Sequence, residues 1–448
     1  MESSQLLHLS LFLKLRTTRS TNLFSGYKFI FAVSIFVVLV LGNQVHVYPA
    51  NDETHQGAHT DNNIHQGDHE LVQNQKKDSI EYDDVSGNES YADQIMGYCE
   101  NRNEHCPMIS LDVLDKTASR QDVVKTFSDL NLLYDKSKFI CHDEGHHLGS
   151  WLYNYTKDLK EALNYATLYC GGSNYHGIIQ SYFDLEYRVQ NVDRNQIKVS
   201  QLCPLEQENV NWIHERECIH GIGHGLTILY DYNTTAAVNG CNQFIALWAQ
   251  SACSRGIFME NVNHFIKTGK GDFDKNEIYS PCDKTVEKFA PQCYFYLPWY
   301  LLWGKNYSHN DAYAQCDNIS PNKFVKYCYQ GIGMTLLFDE NINPEQVIKK
   351  CYERNQTDYH NDCLLGTMRA MLKQDATTSA AFEICGLSDI DFKSECHKII
   401  GMWIKVFLSP NLQELERECS KTSEIDYVTD CINASEETSV QSRVLEPM

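Results

Sequence analysis

Between residues 158 and 170, in DLKEALNYATLYC, the apolar side chains Leu159, Ala162, Leu163, Ala166 and Tyr169 or Cys170 fall three and four positions apart. That spacing follows the 3.6-residue turn of an α-helix and leaves one apolar face, so an amphipathic helix is expected there. Similar short helices are expected to end at Cys241, Cys316, Cys351, Cys385 and Cys419. A second cysteine then opens a longer, more apolar segment: CSRGIFMENVNHF at 253–265, CYQGIGMTLLF at 328–338, CLLGTMRAMLK at 363–373 and CHKIIGMWIKVFL at 396–408. The short segment is termed helix A and the longer one helix B.

The cysteines make this alternation regular. From Cys203 onward they form the pairs 203 and 218, 241 and 253, 282 and 293, 316 and 328, 351 and 363, 385 and 396, 419 and 431. Within a pair the interval is 11 to 15 residues, and equivalent cysteines recur every 33 to 41, the length of one two-helix hairpin. A bridge within each pair would tie the end of helix A to the start of helix B and contribute roughly 2 to 4 kcal/mol. Cys99 with Cys106 and Cys141 with Cys170 would complete the set if the first repeats are irregular, as terminal repeats commonly are.

The expected fold is therefore all-α, an array of disulfide-stapled helical hairpins. Its architecture resembles the α-solenoids of tetratricopeptide and Sel1 type. The tetratricopeptide signature residues are not matched, so the resemblance implies an architecture and no activity.

Gly221, Gly256, Gly331 and Gly366 each stand three residues after the second cysteine, and Gly177 in YHGII takes the same place. Glycine inside a helix costs roughly 1 kcal/mol against alanine. Close approach of neighbouring helices is the expected compensation. The string CYFYLPWYLLW at 293–303 reads as a buried B helix that Pro298 kinks or breaks.

Ahead of the array the pattern changes. Phe29 to Leu41 is apolar apart from Ser34, and extending it back to Leu23 past a snorkelling Lys28 makes it long enough to span a bilayer. Residues 1–22 then form a basic cytoplasmic tail, and 23–42 a transmembrane signal anchor or a cleaved signal peptide. The cleavage pattern around Val40 and Gly42 is weak, which favours a retained anchor. Basic residues before the segment place the bulk of the chain outside the membrane, or secreted if the segment is cleaved.

Residues 43–91 read as a disordered linker carrying a doubled HQGxH unit, with His55, His59, His65 and His69. Residues 92–435 hold the cysteine-rich repeats, and 436–448 a disordered tail. All eighteen cysteines follow Leu41, an even number suited to an oxidising compartment. Sequons at Asn88, Asn154, Asn233, Asn306, Asn318, Asn355 and Asn433 agree with a glycosylated exterior.

The net charge is −21, and the first fifty residues set four basic side chains against Glu2, which leaves about −24 on the remainder. Such a surface disfavours a nucleic-acid partner and attracts cations.

Eight of the eighteen histidines lie between His142 and His264, at the openings of the B helices. Residues four apart share a helix face, so His142 with His146, and His220 with His224, can each hold one ion. Asp143 with His147 has the same spacing and competes with the first pair. Stacked hairpins would set His176 between the pairs, giving a ligand set of His142, His146, His147, His176, His220 and His224. Zinc suits it best, and copper or iron also accept it. Glu260 and His264, again four apart on the next B helix, are candidate acid–base groups for a metal-bound water.

An internal control bears on this. CIHGIGHGL at 218–226 and CYQGIGMTL at 328–336 are nearly the same segment, yet His220 and His224 become Gln330 and Met334. Folding of the unit does not require imidazole there. Absence of C-x-x-C, H-E-x-x-H, G-x-S-x-G and a phosphate-binding glycine loop removes iron–sulfur, protease, serine hydrolase and nucleotide-dependent readings. Two functions stay open: a membrane-anchored metal-binding protein, with or without catalysis, and a cell-surface scaffold for a protein or glycan ligand.

Overall fold

The computed structural model describes residues 142–434 apart from 189, 191–192, 195–196, 204–211, 274–275, 339–342, 354–358, 375–377 and 406–411. The expected tail, anchor and linker, the C-terminal tail, and Cys99, Cys106 and Cys141 lie outside the described residues. Among the described residues no helix is long and apolar enough to cross a membrane.

Every regular element among the described residues is helical, with fifteen α-helices joined by short 3-10 and π turns. They are α1 (His142–Thr156), α2 (Leu159–Tyr165), α3 (Ser173–Phe183), α4 (Trp212–Leu229), α5 (Thr234–Cys241), α6 (Leu247–Thr268) and α7 (Ala290–Trp299). There follow α8 (His309–Asp317), α9 (Val325–Thr335), α10 (Pro344–Tyr352), α11 (His360–Gln374), α12 (Ser379–Leu387), α13 (Ile390–Trp403), α14 (Leu412–Cys419) and α15 (Val428–Ala434).

The short A helices start on side-chain caps. Asp158 and Asn233 accept the amides of Glu161 and Ala236 at 2.8 and 2.9 Å, while Ser308 with Asp311 and Asn343 with Gln346 form capping boxes. Helix α2 is shorter than expected. It stops at Tyr165, and Cys170 sits beyond it in a turn with φ of 54°, where it is disulfide-bonded.

All seven cysteine pairs expected from Cys203 onward are bridged, with Cα–Cα distances from 5.3 to 6.0 Å. The second cysteine does not open its helix, however: α6 begins at Leu247, ahead of Cys253, and α13 at Ile390, ahead of Cys396. Placing the bridge inside the helix turns its sulfur inward, and both cysteines are fully buried.

The longer helices pack in chain order, α1 on α3, α3 on α4, α4 on α6, α6 on α7, α7 on α9 and α9 on α11, with α13 on α15 at the end. Glycines govern how closely they meet. A β-carbon on Gly223 would stand 2.0 Å from the Cys253 carbonyl oxygen, and one on Gly256 would stand 2.0 Å from that of His220. The same reciprocal contact joins α1 to α3, where Gly149 faces the Asn174 carbonyl and Gly177 that of His146. Backbone lies on both sides, so no rotamer change relieves the clash. The cost of glycine in these helices is offset by this packing.

Residues Cys293 to Leu302 are buried, as expected of the aromatic string. Helix α7 runs through Pro298 and is followed by a π turn at Tyr300–Gly304.

Candidate metal centre

The glycine contacts between helices also set the height of the histidines. His176 precedes Gly177 and His220 precedes Gly221, while the His146 carbonyl is the group that Gly177 meets. His146, His176 and His220 therefore occupy one level on α1, α3 and α4. One turn away on the same helices, His142 and His224 extend the row.

The imidazoles meet. His142 Nε2 and His146 Nε2 are 3.3 Å apart, and His146 Nε2 is 3.3 Å from His176 Nδ1. A tetrahedral ion with metal–nitrogen bonds of about 2.0–2.1 Å separates its ligand nitrogens by about 3.3–3.4 Å. Two groups of three side chains bring their ligand atoms within 4.8 Å of one another: His142, His146 and His176, and His176, His220 and His224. The ring centres of His176 and His220 are 4.6 Å apart, those of His176 and His224 4.9 Å, and those of His146 and His224 5.1 Å.

A metal-binding imidazole is normally oriented through its other nitrogen. Here four of the rings are oriented in this way. His142 Nδ1 lies 3.3 Å from the Cys170 carbonyl oxygen, His146 Nδ1 2.7 Å from Gln180 Oε1, and His224 Nδ1 2.9 Å from Glu260 Oε2. His176 is held from the opposite nitrogen, with Nε2 3.2 Å from Glu217 Oε2. These acceptors place protons on the outward nitrogens and lone pairs on His142 Nε2, His146 Nε2, His176 Nδ1 and His224 Nε2. The last of these atoms is buried without a hydrogen-bond partner.

Electrostatics act in the same direction. Burial, followed by the charges of His142, His176 and His224, holds the pKa of His146 well below the usual imidazole value. Burial does the same at His176, against the opposing pull of Glu217. Both rings are thus neutral in the fold, the form that ligates a metal. Glu217 is charge-paired with Arg216, and both side chains are 1 % exposed. Burying that pair leaves a carboxylate oxygen for His176.

Five of the six expected ligands come together. His147 does not: it is exposed on α1 and belongs to neither group. Of the two overlapping pairs at the start of α1, the phase of the helix turns His142 and His146 toward α3 and leaves Asp143 and His147 outside. Glu260 reaches the centre as a partner of His224 and of Gln180, whose Nε2 donates to it at 2.7 Å. His264 is turned elsewhere and stacks on Tyr232, with ring centres 3.5 Å apart.

Sequence reasoning missed Gln180 and Glu217. Gln180 follows His176 by four residues, as His224 follows His220, so its place on the helix face was readable. Glu217 precedes His220 by three residues, so it too shares the face of the histidines on its helix.

No family model, curated protein or solved structure matches this chain.

Proposed function

We propose that this protein is an extracytoplasmic, membrane-anchored metal-binding protein, built as an α-solenoid of tetratricopeptide or Sel1 type, whose first helices hold one divalent transition ion, zinc by preference. The observation that carries the reading is the meeting of His142, His146 and His176, whose ligand nitrogens lie within 4.8 Å of one another and in which His146 Nε2 stands at the edge length of a tetrahedral site from both neighbours. Four oriented imidazoles exceed what folding of the unit needs, because the segment at 328–336 folds without them.

The chain-order packing of the long helices supports the solenoid, and the buried disulfides support an oxidising compartment. Glu260 serves the site by orienting His224, while His264 stacks on Tyr232. Elemental analysis of the purified full chain tests the proposal. About one zinc, copper or iron per chain is expected, and it should be lost in His176→Ala, since His176 belongs to both histidine groups. A metal-free wild-type chain that binds no added zinc while keeping its fold would end it.

A further inference from the structure

The two histidine groups are not independent, because His176 belongs to both. The outer group adds His142 and His146, which are partly exposed, whereas the inner group adds His220 and His224 and is buried throughout. A neutral imidazole has one lone pair to give. At His176 the Glu217 carboxylate, 3.2 Å from Nε2, keeps the proton on that nitrogen. The lone pair is then on Nδ1, the nitrogen facing His146. Two ions cannot share it.

Resting on the metal-binding reading above, we propose that the centre offers two alternative seats to a single divalent ion. In the outer seat the ion is held by His142, His146 and His176. In the inner seat it is held by His176, His220 and His224.

Transfer from one seat to the other breaks the bonds to His142 and His146, forms bonds to His220 and His224, and keeps the bond to His176. No electron moves, and His224 needs no change of protonation to bind, because Glu260 already holds its proton on Nδ1. The path is short. The His224 ring stands 5.1 Å from His146 and 4.9 Å from His176, so it borders both seats.

The exposure of the two groups assigns their roles. The outer seat is where an ion enters and leaves, and the inner seat is where it is sequestered from chelators. Such a centre suits capture and slow release of a scarce ion. A catalytic ion would instead need a coordination position open to substrate.

Cobalt(II) is the probe, because its visible absorption reports the ligand set. The full chain should bind one Co2+ at saturation, with a fast phase that depends on cobalt concentration and a slower phase that does not. In the variant carrying both His220→Ala and His224→Ala, the ion should still bind, the slow phase should vanish, and release to EDTA should accelerate by at least about tenfold. In His142→Ala the fast phase should slow while the final spectrum stays as in wild type. Two Co2+ per chain, single-phase loading of the wild type, or an unchanged release rate in the double variant would overturn the two-seat proposal. The stoichiometry and loading phases of the wild type decide even if a variant fails to fold. Binding of one ion in a single phase would leave the metal-binding reading intact, whereas no bound ion would remove both.

Discussion

His224 Nδ1 donates to Glu260 Oε2 across 2.9 Å, and this one hydrogen bond couples α4 to α6 while aiming Nε2 of His224 inward. The same carboxylate oxygen accepts from Gln180 on α3. Gln180 Oε1 in turn accepts a hydrogen bond from His146 Nδ1 on α1. Four helices are thus tied through a single relay of polar groups around the histidines.

Glu260→Ala is expected to weaken zinc binding by about 10- to 100-fold, the usual cost of removing a group that orients a metal ligand. Competition against a chromophoric chelator measures it. Glu260→Gln should weaken binding less, since its side-chain oxygen can still accept from His224. Far-UV circular dichroism should be unchanged in both, because Glu260 lies at the edge of the centre with 15 % of its side chain exposed.

Acidification should destabilise the metal-free protein. His146 and His176 have folded pKa values depressed well below 6.5, so the unfolded chain binds more protons than the folded one between those values and 6.5. Stability is then full above pH 6.5 and falls as the pH drops below it, with a slope of up to about 1.4 kcal/mol per pH unit for each histidine. Urea unfolding at a series of pH values between 7.5 and 5 measures the slope. Loss of zinc affinity should follow the same direction, as protons compete for the same nitrogens. A flat stability profile would show that the rings are not buried as neutral groups.

Removing one member of the buried ion pair should cost more than removing both. Glu217→Leu leaves the Arg216 guanidinium buried without its carboxylate and takes away the partner of His176, so a loss of about 3–5 kcal/mol is expected. Adding Arg216→Met should restore much of that stability while leaving zinc affinity impaired. Denaturant midpoints and metal titrations on the two variants separate the structural from the metal-orienting role of Glu217.

Two glycine substitutions should act in opposite directions. Gly223→Ala puts a methyl group 2.0 Å from the Cys253 carbonyl oxygen, with backbone unable to yield, and should destabilise by about 1–3 kcal/mol or more. Gly386→Ala in α12 meets nothing nearer than 3.8 Å and should stabilise by up to about 1 kcal/mol through helix propensity. Thermal or urea unfolding of both variants, each compared with the parent chain, supplies the contrast.

The alternation of short and long helices, the pairing of the cysteines from Cys203 onward and the role of the glycines were all legible in the chain. Each rests on local chemistry: a 3.6-residue period, a bridge reaching across about a dozen residues, a missing β-carbon. The clustering of histidines at 142–224 was visible too, because the near-identical segment at 328–336 shows what the fold itself requires.

Only the tertiary structure decided which face of α1 meets α3. A helix offers His142 with His146 and Asp143 with His147 at the same spacing, and a rotation of about one residue exchanges them. The contacts of Gly149 with Asn174 and of Gly177 with His146 fix that rotation, and they bring together groups 25 and 31 residues apart. Partners more distant still, such as Glu217 for His176 and Glu260 for Gln180, have no periodic relation to one another along the chain. Side-chain orientation in a helix follows from the neighbour it packs on, and that neighbour is set by the fold as a whole.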